Sequence, residues 1–161
     1  MLVVSDASPL CYLVLIGQVN LLKQLYRQVI IPEIVRDELL HPDAPELVQQ
    51  WVNQLPSWVM LRTPQKQPDT ALIKLDPGER SAILLEQEIG ADLVLMDERR
   101  GRNIAKSRGL SVTGLIGVVD AAAGLGLINL DEVLFRLRET DFWVSPKILA
   151  DLRTKHQYDS L

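Results

Sequence analysis

Leu2-Val3-Val4-Ser5-Asp6-Ala7-Ser8-Pro9 reads in two halves. The first is a continuous apolar run rich in β-branched residues, the pattern of a strand buried on both faces. The second passes at once into a helix, with Ser8 as N-cap and Pro9 as the first helical residue. The same switch recurs along the chain. Residues 29–31 read as a strand before a helix over 33–40, and 93–96 as a strand before a helix over 99–108. Short strands fit 58–61 and 111–113, and helical spacing marks 20–26, 44–55, 77–89, 115–123, 131–139 and 145–155. Strands that alternate with helices predict an α/β fold, a three-layer α/β/α sandwich with a mainly parallel central sheet. In such sheets the functional crevice lies beyond the carboxyl ends of the strands.

The chain of 161 residues is about one domain's worth, so 1–161 is expected to be a single domain. The C-terminal helices over about 131–157 would rest on that domain or on a partner. Hydrophobic residues at 47% exclude disorder as the main state, and aromatics at 5% make the core aliphatic. A net charge of −4 argues against a broad basic face for duplex DNA. The single cysteine, Cys11, excludes an internal disulfide and a Cys-rich zinc site, and its apolar surroundings make it an inert core residue. The N-terminus lacks the basic start of a signal peptide. The uncharged segment 7–22 holds Pro9, Gly17, Gln18 and Asn20, too few apolar residues for a span. Buried structure in a cytoplasmic protein without membrane contact is the expectation. Residues 63–70, with two prolines, are expected to form an exposed loop.

Asp6 and Asp97 each follow a strand directly, and a parallel sheet brings both to one rim. Glu38 shares a helix side with Ile34, Val35 and Leu39, a buried stripe on which a carboxylate needs a partner. Asp76, Pro77 and Glu79 spell a helix start with a capping box, which explains both acids by local structure, although Glu79 also shares a side with Ala82 and Ile83. Converging carboxylates would hold Mg²⁺ or Mn²⁺, hard cations that take oxygen ligands and activate water against a phosphodiester. Zinc, a serine or cysteine triad and a phosphate-binding loop all lack the residues they need: the two histidines, His41 and His156, sit near no fitting partners. A phosphate-accepting receiver domain would want a lysine after the last strand, where Thr113-Gly114 stands. Five of the ten residues 99–108 are basic, and their place after Asp97 makes Arg99, Arg100 and Arg102 candidates for holding a phosphate chain.

At these residues the sequence resembles the PIN-domain family, on 4–10, 31–38, 75–83 and 95–102, in order and over nearly the whole chain. The nearer likeness is to a branch of small prokaryotic proteins related to the toxins of VapBC-type toxin–antitoxin pairs. The resemblance implies a Mg²⁺- or Mn²⁺-dependent ribonuclease that leaves a 5′-phosphate and a 3′-hydroxyl. It implies Asp6, Glu38 and Asp97 as metal ligands, Glu79 as an assisting acid and Ser8 as a ligand-orienting hydroxyl. It also implies a small antitoxin as partner and a homodimer. The family pattern has Thr or Ser after Gly114, where this chain has Leu115, and a basic residue before Gly126, where it has Ala122, Ala123 and Gly124. A catalytically weak or inactive PIN-like module that binds RNA or protein is the alternative.

Overall fold

The computed structural model describes residues 1–159. Strand β1 (Leu2–Ser5) leads into helices α1 (Ala7–Leu15) and α2 (Leu21–Tyr26). Strand β2 (Gln28–Pro32) leads into α3 (Glu33–Leu39) and α4 (Glu46–Asn53), and β3 (Val59–Arg62) into α5 (Thr70–Ile73) and α6 (Pro77–Ile89). Then come β4 (Leu93–Leu95), α7 (Arg99–Ser107), β5 (Val112–Thr113), α8 (Leu115–Gly124), α9 (Leu130–Arg138) and α10 (Pro146–Asp159). The five strands pair in the order β3-β2-β1-β4-β5, and every pairing is parallel. The chain winds outward from β1 to β3, then returns to place β4 on the other side of β1. The β1/β4 junction is therefore the topological switch point, where open parallel sheets form their crevice.

Alternation along the strands builds the layers. Val3, Val29, Ile31 and Leu95 face one side and join Leu10 and Leu13 of α1 and Leu115 and Val118 of α8. Val4, Ile30, Val94 and Met96 face the other and join Ile83 and Leu85 of α6 and Ala105 of α7. Each such fully buried leucine or valine contributes about 1.5–3 kcal/mol from removal of apolar surface from water. Two separate apolar faces on one sheet are what make the strands read as unbroken hydrophobic runs.

Three local readings change. Helix α1 starts at Ala7, one residue earlier than the Ser8–Pro9 signal implies. Asp6 takes the extended N-cap position (φ −78°, ψ 174°), Ser8 falls in the first turn, and Pro9 sits where the helix has no partner for an N–H anyway. The loop expected over 63–70 ends at Asp69, whose carboxylate accepts from the Ala71 and Leu72 N–H groups (3.1 Å each) and starts α5. Cys11 is half-buried at the edge of the first face rather than in its centre. Burial pushes its thiol pKa up, which keeps it from the reactive thiolate form.

The last two helices rest on this chain. Val133, Leu134 and Leu137 of α9 are buried. On α10, Lys155 Nζ donates to Asp120 Oδ2 (2.9 Å) and His156 Nε2 lies 2.7 Å from Asp120 Oδ1, tying α10 to α8. Among the described residues, no helix is long and apolar enough to cross a membrane.

Candidate active site

Asp6 sits at the switch point. Its N–H donates to the Leu95 carbonyl (2.9 Å), which fixes it between β1 and β4. The side chain is buried, and Oδ1 has no hydrogen-bond partner. Burial pushes its pKa up to about 7; the Ala7 N–H opposes this, while Asp76, Glu38 and Asp97 add to it. Gly78, in the first turn of α6, leaves room for this carboxyl: a Cβ there would lie 2.9 Å from Asp6 Oδ1 and 3.5 Å from Glu38 Oε1. The two acids thus approach the same bare stretch of backbone.

Asp97, just beyond β4, is held at both oxygens. Ser8 Oγ donates to Oδ2 (3.0 Å) and the Leu115 N–H donates to Oδ1 (2.7 Å). The Leu115 side chain is fully buried, so that position serves Asp97 through its backbone and needs no hydroxyl for it. Burial raises the Asp97 pKa, and the Leu115 N–H, Ser8 and Arg102 hold it down. Replacing Ser8 with Ala removes one of these restraints. In the variant the Asp97 carboxyl is expected to titrate at higher pH, because its charged form loses a hydrogen-bond donor. NMR titration of Asp97 checks this. An unmoved titration would mean that Ser8 does not hold it.

Glu79 combines two roles. Asp76 Oδ1 accepts from its N–H (2.9 Å), so the capping signal is real. The side chain is nevertheless buried, with Oε2 unpartnered, and burial first and Asp76 second raise its pKa. Glu38 differs from the sequence expectation. Only Val35 and Leu39 of α3 are buried, Ile34 is 41% exposed, and Glu38 stands at the crevice mouth with solvent on one side. Helix α3 is so short that one i, i+4 pair suffices to seat it, leaving the neighbouring positions at the edge. The part of Glu38 that the protein covers, with Asp76 nearby, still raises its pKa.

All four acids line one crevice of about 380 Å³, together with Ser8, Asp76, Glu98 and Asp141. Arg102 lies beside Asp97 but outside the lining, its Nη1 donating to the Met96 carbonyl (3.3 Å). Arg99 and Arg100 are exposed and stand outside the lining. Sequence reasoning missed Tyr12 and the segment 141–143, which close one side. Tyr12 was findable, lying one helical turn beyond Ser8; its hydroxyl donates to Asp141 Oδ1 (2.7 Å). The 141–143 segment carries no local signal, because only the packing of α9 brings it here.

The family model of the PIN domain matches residues 2–157. The chain belongs to the PIN-domain family. PIN domains are generally nucleases and typically use divalent metals. No curated protein matches the chain. The residues of this PIN domain suit such an ion in chemistry: Asp6 Oδ1 and Glu79 Oε2 are buried carboxylate oxygens with no donor, in a site crowded with like charge. Among the described residues, no three His, Cys, Asp or Glu close around one point as a ready ligand set.

Proposed function

We propose that this PIN domain is a divalent-metal-dependent ribonuclease. One observation carries the reading: Asp6, Glu38, Glu79 and Asp97 line one crevice at the switch point, with an unpartnered buried oxygen on Asp6 and on Glu79. Asp6, Glu38 and Asp97 would hold Mg²⁺ or Mn²⁺. When bound, the ion supplies a low-pKa water and neutralises charge on the phosphate. The chain's own residues do the positioning. Ser8 and the Leu115 N–H fix both oxygens of Asp97. Glu79 lines the crevice from the first turn of α6, and Arg102 faces the Asp97 side. Arg99 and Arg100, exposed on the first turn of α7, would meet phosphates that run out of the crevice. Hydrolysis adds water across one phosphodiester: the new P–O bond leaves a 5′-phosphate, and the departing 3′-oxygen takes a proton.

The likeness of the motifs to the toxin branch supports a further part of this reading. A small antitoxin protein would cover the acidic crevice, and two copies of the chain would pair.

The test is cleavage of a mixed single-stranded RNA pool by the pure protein, with Mn²⁺ and with EDTA, and mapping of the product ends. Metal-dependent cleavage that yields 5′-phosphates is the expected result. Absence of both cleavage and metal binding by calorimetry would leave the non-cutting binding module as the better reading.

A further inference from the structure

We infer that Trp143 is a stacking platform for an unpaired nucleobase of the RNA whose backbone enters the acidic crevice; the inference rests on the ribonuclease reading. Trp143 is 79% exposed, the most exposed of the large hydrophobic side chains described. An indole offers a large apolar face and one N–H, a shape suited to a contact that leaves one edge in water. It also lines the crevice that holds Asp6, Glu38 and Asp97.

The segment that carries it is braced rather than loose. Thr140 Oγ1 donates to the Leu137 carbonyl (2.6 Å) and accepts from the Phe142 N–H (3.2 Å). Asp141 accepts from the Tyr12 hydroxyl (2.7 Å), and the Phe142 ring meets the Tyr12 ring edge-on, 4.9 Å between centroids. Ser145 Oγ accepts from the Ile148 N–H (3.2 Å), starting α10 immediately afterwards. Phe142 and Asp141 are thereby pinned to α1, and Trp143 between them and α10 is presented outward. What is preorganised is the backbone that carries the ring, which holds the indole at the crevice rim.

The chemistry of the crevice selects the occupant. Its walls are mostly carboxylates, which repel an RNA backbone except where a cation intervenes, so inside the crevice charge gives the strand little grip and the exposed arginines of α7 hold it only outside. A π-face at the rim supplies the missing attraction without reading sequence, because every base can stack. A protein partner that docks on the same indole would use the ring's apolar surface but would show no dependence on bases.

The experiment uses the full chain and a short oligouridylate, with Ca²⁺ as the divalent ion, and follows tryptophan fluorescence and anisotropy of a labelled strand. A matching oligonucleotide with abasic sites keeps the phosphates and removes the bases. The wild type is expected to bind the oligouridylate about tenfold more tightly than the abasic strand. Trp143→Ala should lose that difference, weakening oligouridylate binding about tenfold, and Trp143→Phe should keep most of it. Fluorescence quenching on binding should vanish in Trp143→Ala, since Trp51 and Trp58 lie away from the crevice. A wild type that binds and cleaves RNA while Trp143→Ala keeps full base preference overturns the stacking role and leaves the ribonuclease reading standing. A wild type that neither binds nor cleaves overturns both.

Discussion

Asp6→Asn is expected to abolish metal-dependent RNA cleavage and, in EDTA at about pH 7.5, to make the protein harder to unfold. Both effects come from the same buried carboxyl. Its ordinary pKa of 3.8 stands at about 7 in the folded chain, because burial penalises the charged form. Between those values the folded state keeps a proton that the unfolded state has released. Stability therefore falls as pH rises through the window from about 4 to 7, and the full penalty persists above it. A neutral asparagine escapes the penalty. At about 1.4 kcal/mol per pKa unit the ceiling on the gain is about 4 kcal/mol, and about 2 kcal/mol is a fair expectation once water and relaxation are allowed for. Removing the charge also relieves repulsion from Glu38 and Asp76, both of which add to the rise in the Asp6 pKa. Added Mn²⁺ should raise the unfolding temperature of the wild type by mass action and leave the variant nearly unmoved. Thermal unfolding with and without metal, beside a cleavage assay, checks all of this. A variant that is active, or less stable than wild type in EDTA, would show that Asp6 is not the strained acid of the site.

Gly101→Ala should damage the site from behind. A glycine inside α7 costs about 1 kcal/mol against alanine, so propensity alone favours the change. Packing opposes it. A Cβ at Gly101 would collide with Met96 Sδ and lie 2.6 Å from Glu79 Oε2. Met96 is fully buried and has little room to withdraw, and Glu79 can yield only toward the crevice it lines. Overpacking of this kind costs about 1–3 kcal/mol, and the net loss should lower the unfolding temperature by a few degrees. Displacement of Glu79 should also reduce cleavage by about tenfold or more, as small misplacements in a site do. Gly124→Ala is the control: its Cβ would make only an ordinary contact, 3.8 Å from His156 Cε1. If Gly101→Ala matches that control in stability and activity, Glu79 has slack that the structure does not show.

Much of this was legible in the sequence because it follows from local patterns. Unbroken aliphatic runs give parallel strands, and aspartates just after two of them give a shared rim. The capping signal at Asp76–Glu79 fixes where α6 starts. What could not be read depends on packing between distant elements. Nothing in the three-residue reach of a capping box says that the Glu79 side chain is buried over Gly101. The stripe on α3 looked wider than it is because periodicity cannot tell an edge position, such as Glu38 or Ile34, from an interior one. The four residues of α5 are too few for a period. Asp141 to Trp143 reach the crevice only through the seating of α9 and α10.

The central position of the first strand also dictates a schedule. β1 pairs with β2 soon after both emerge, but its other neighbour, β4, lies some ninety residues later, Val3 meeting Leu93. Long-range parallel pairing of this kind closes late. A chain still on the ribosome thus carries Asp6 without Asp97, and β1 keeps one bare edge that invites pairing with other chains. The acidic crevice is complete only once β4 has joined β1, so a chain that has not reached that step lacks the Asp97 side of it.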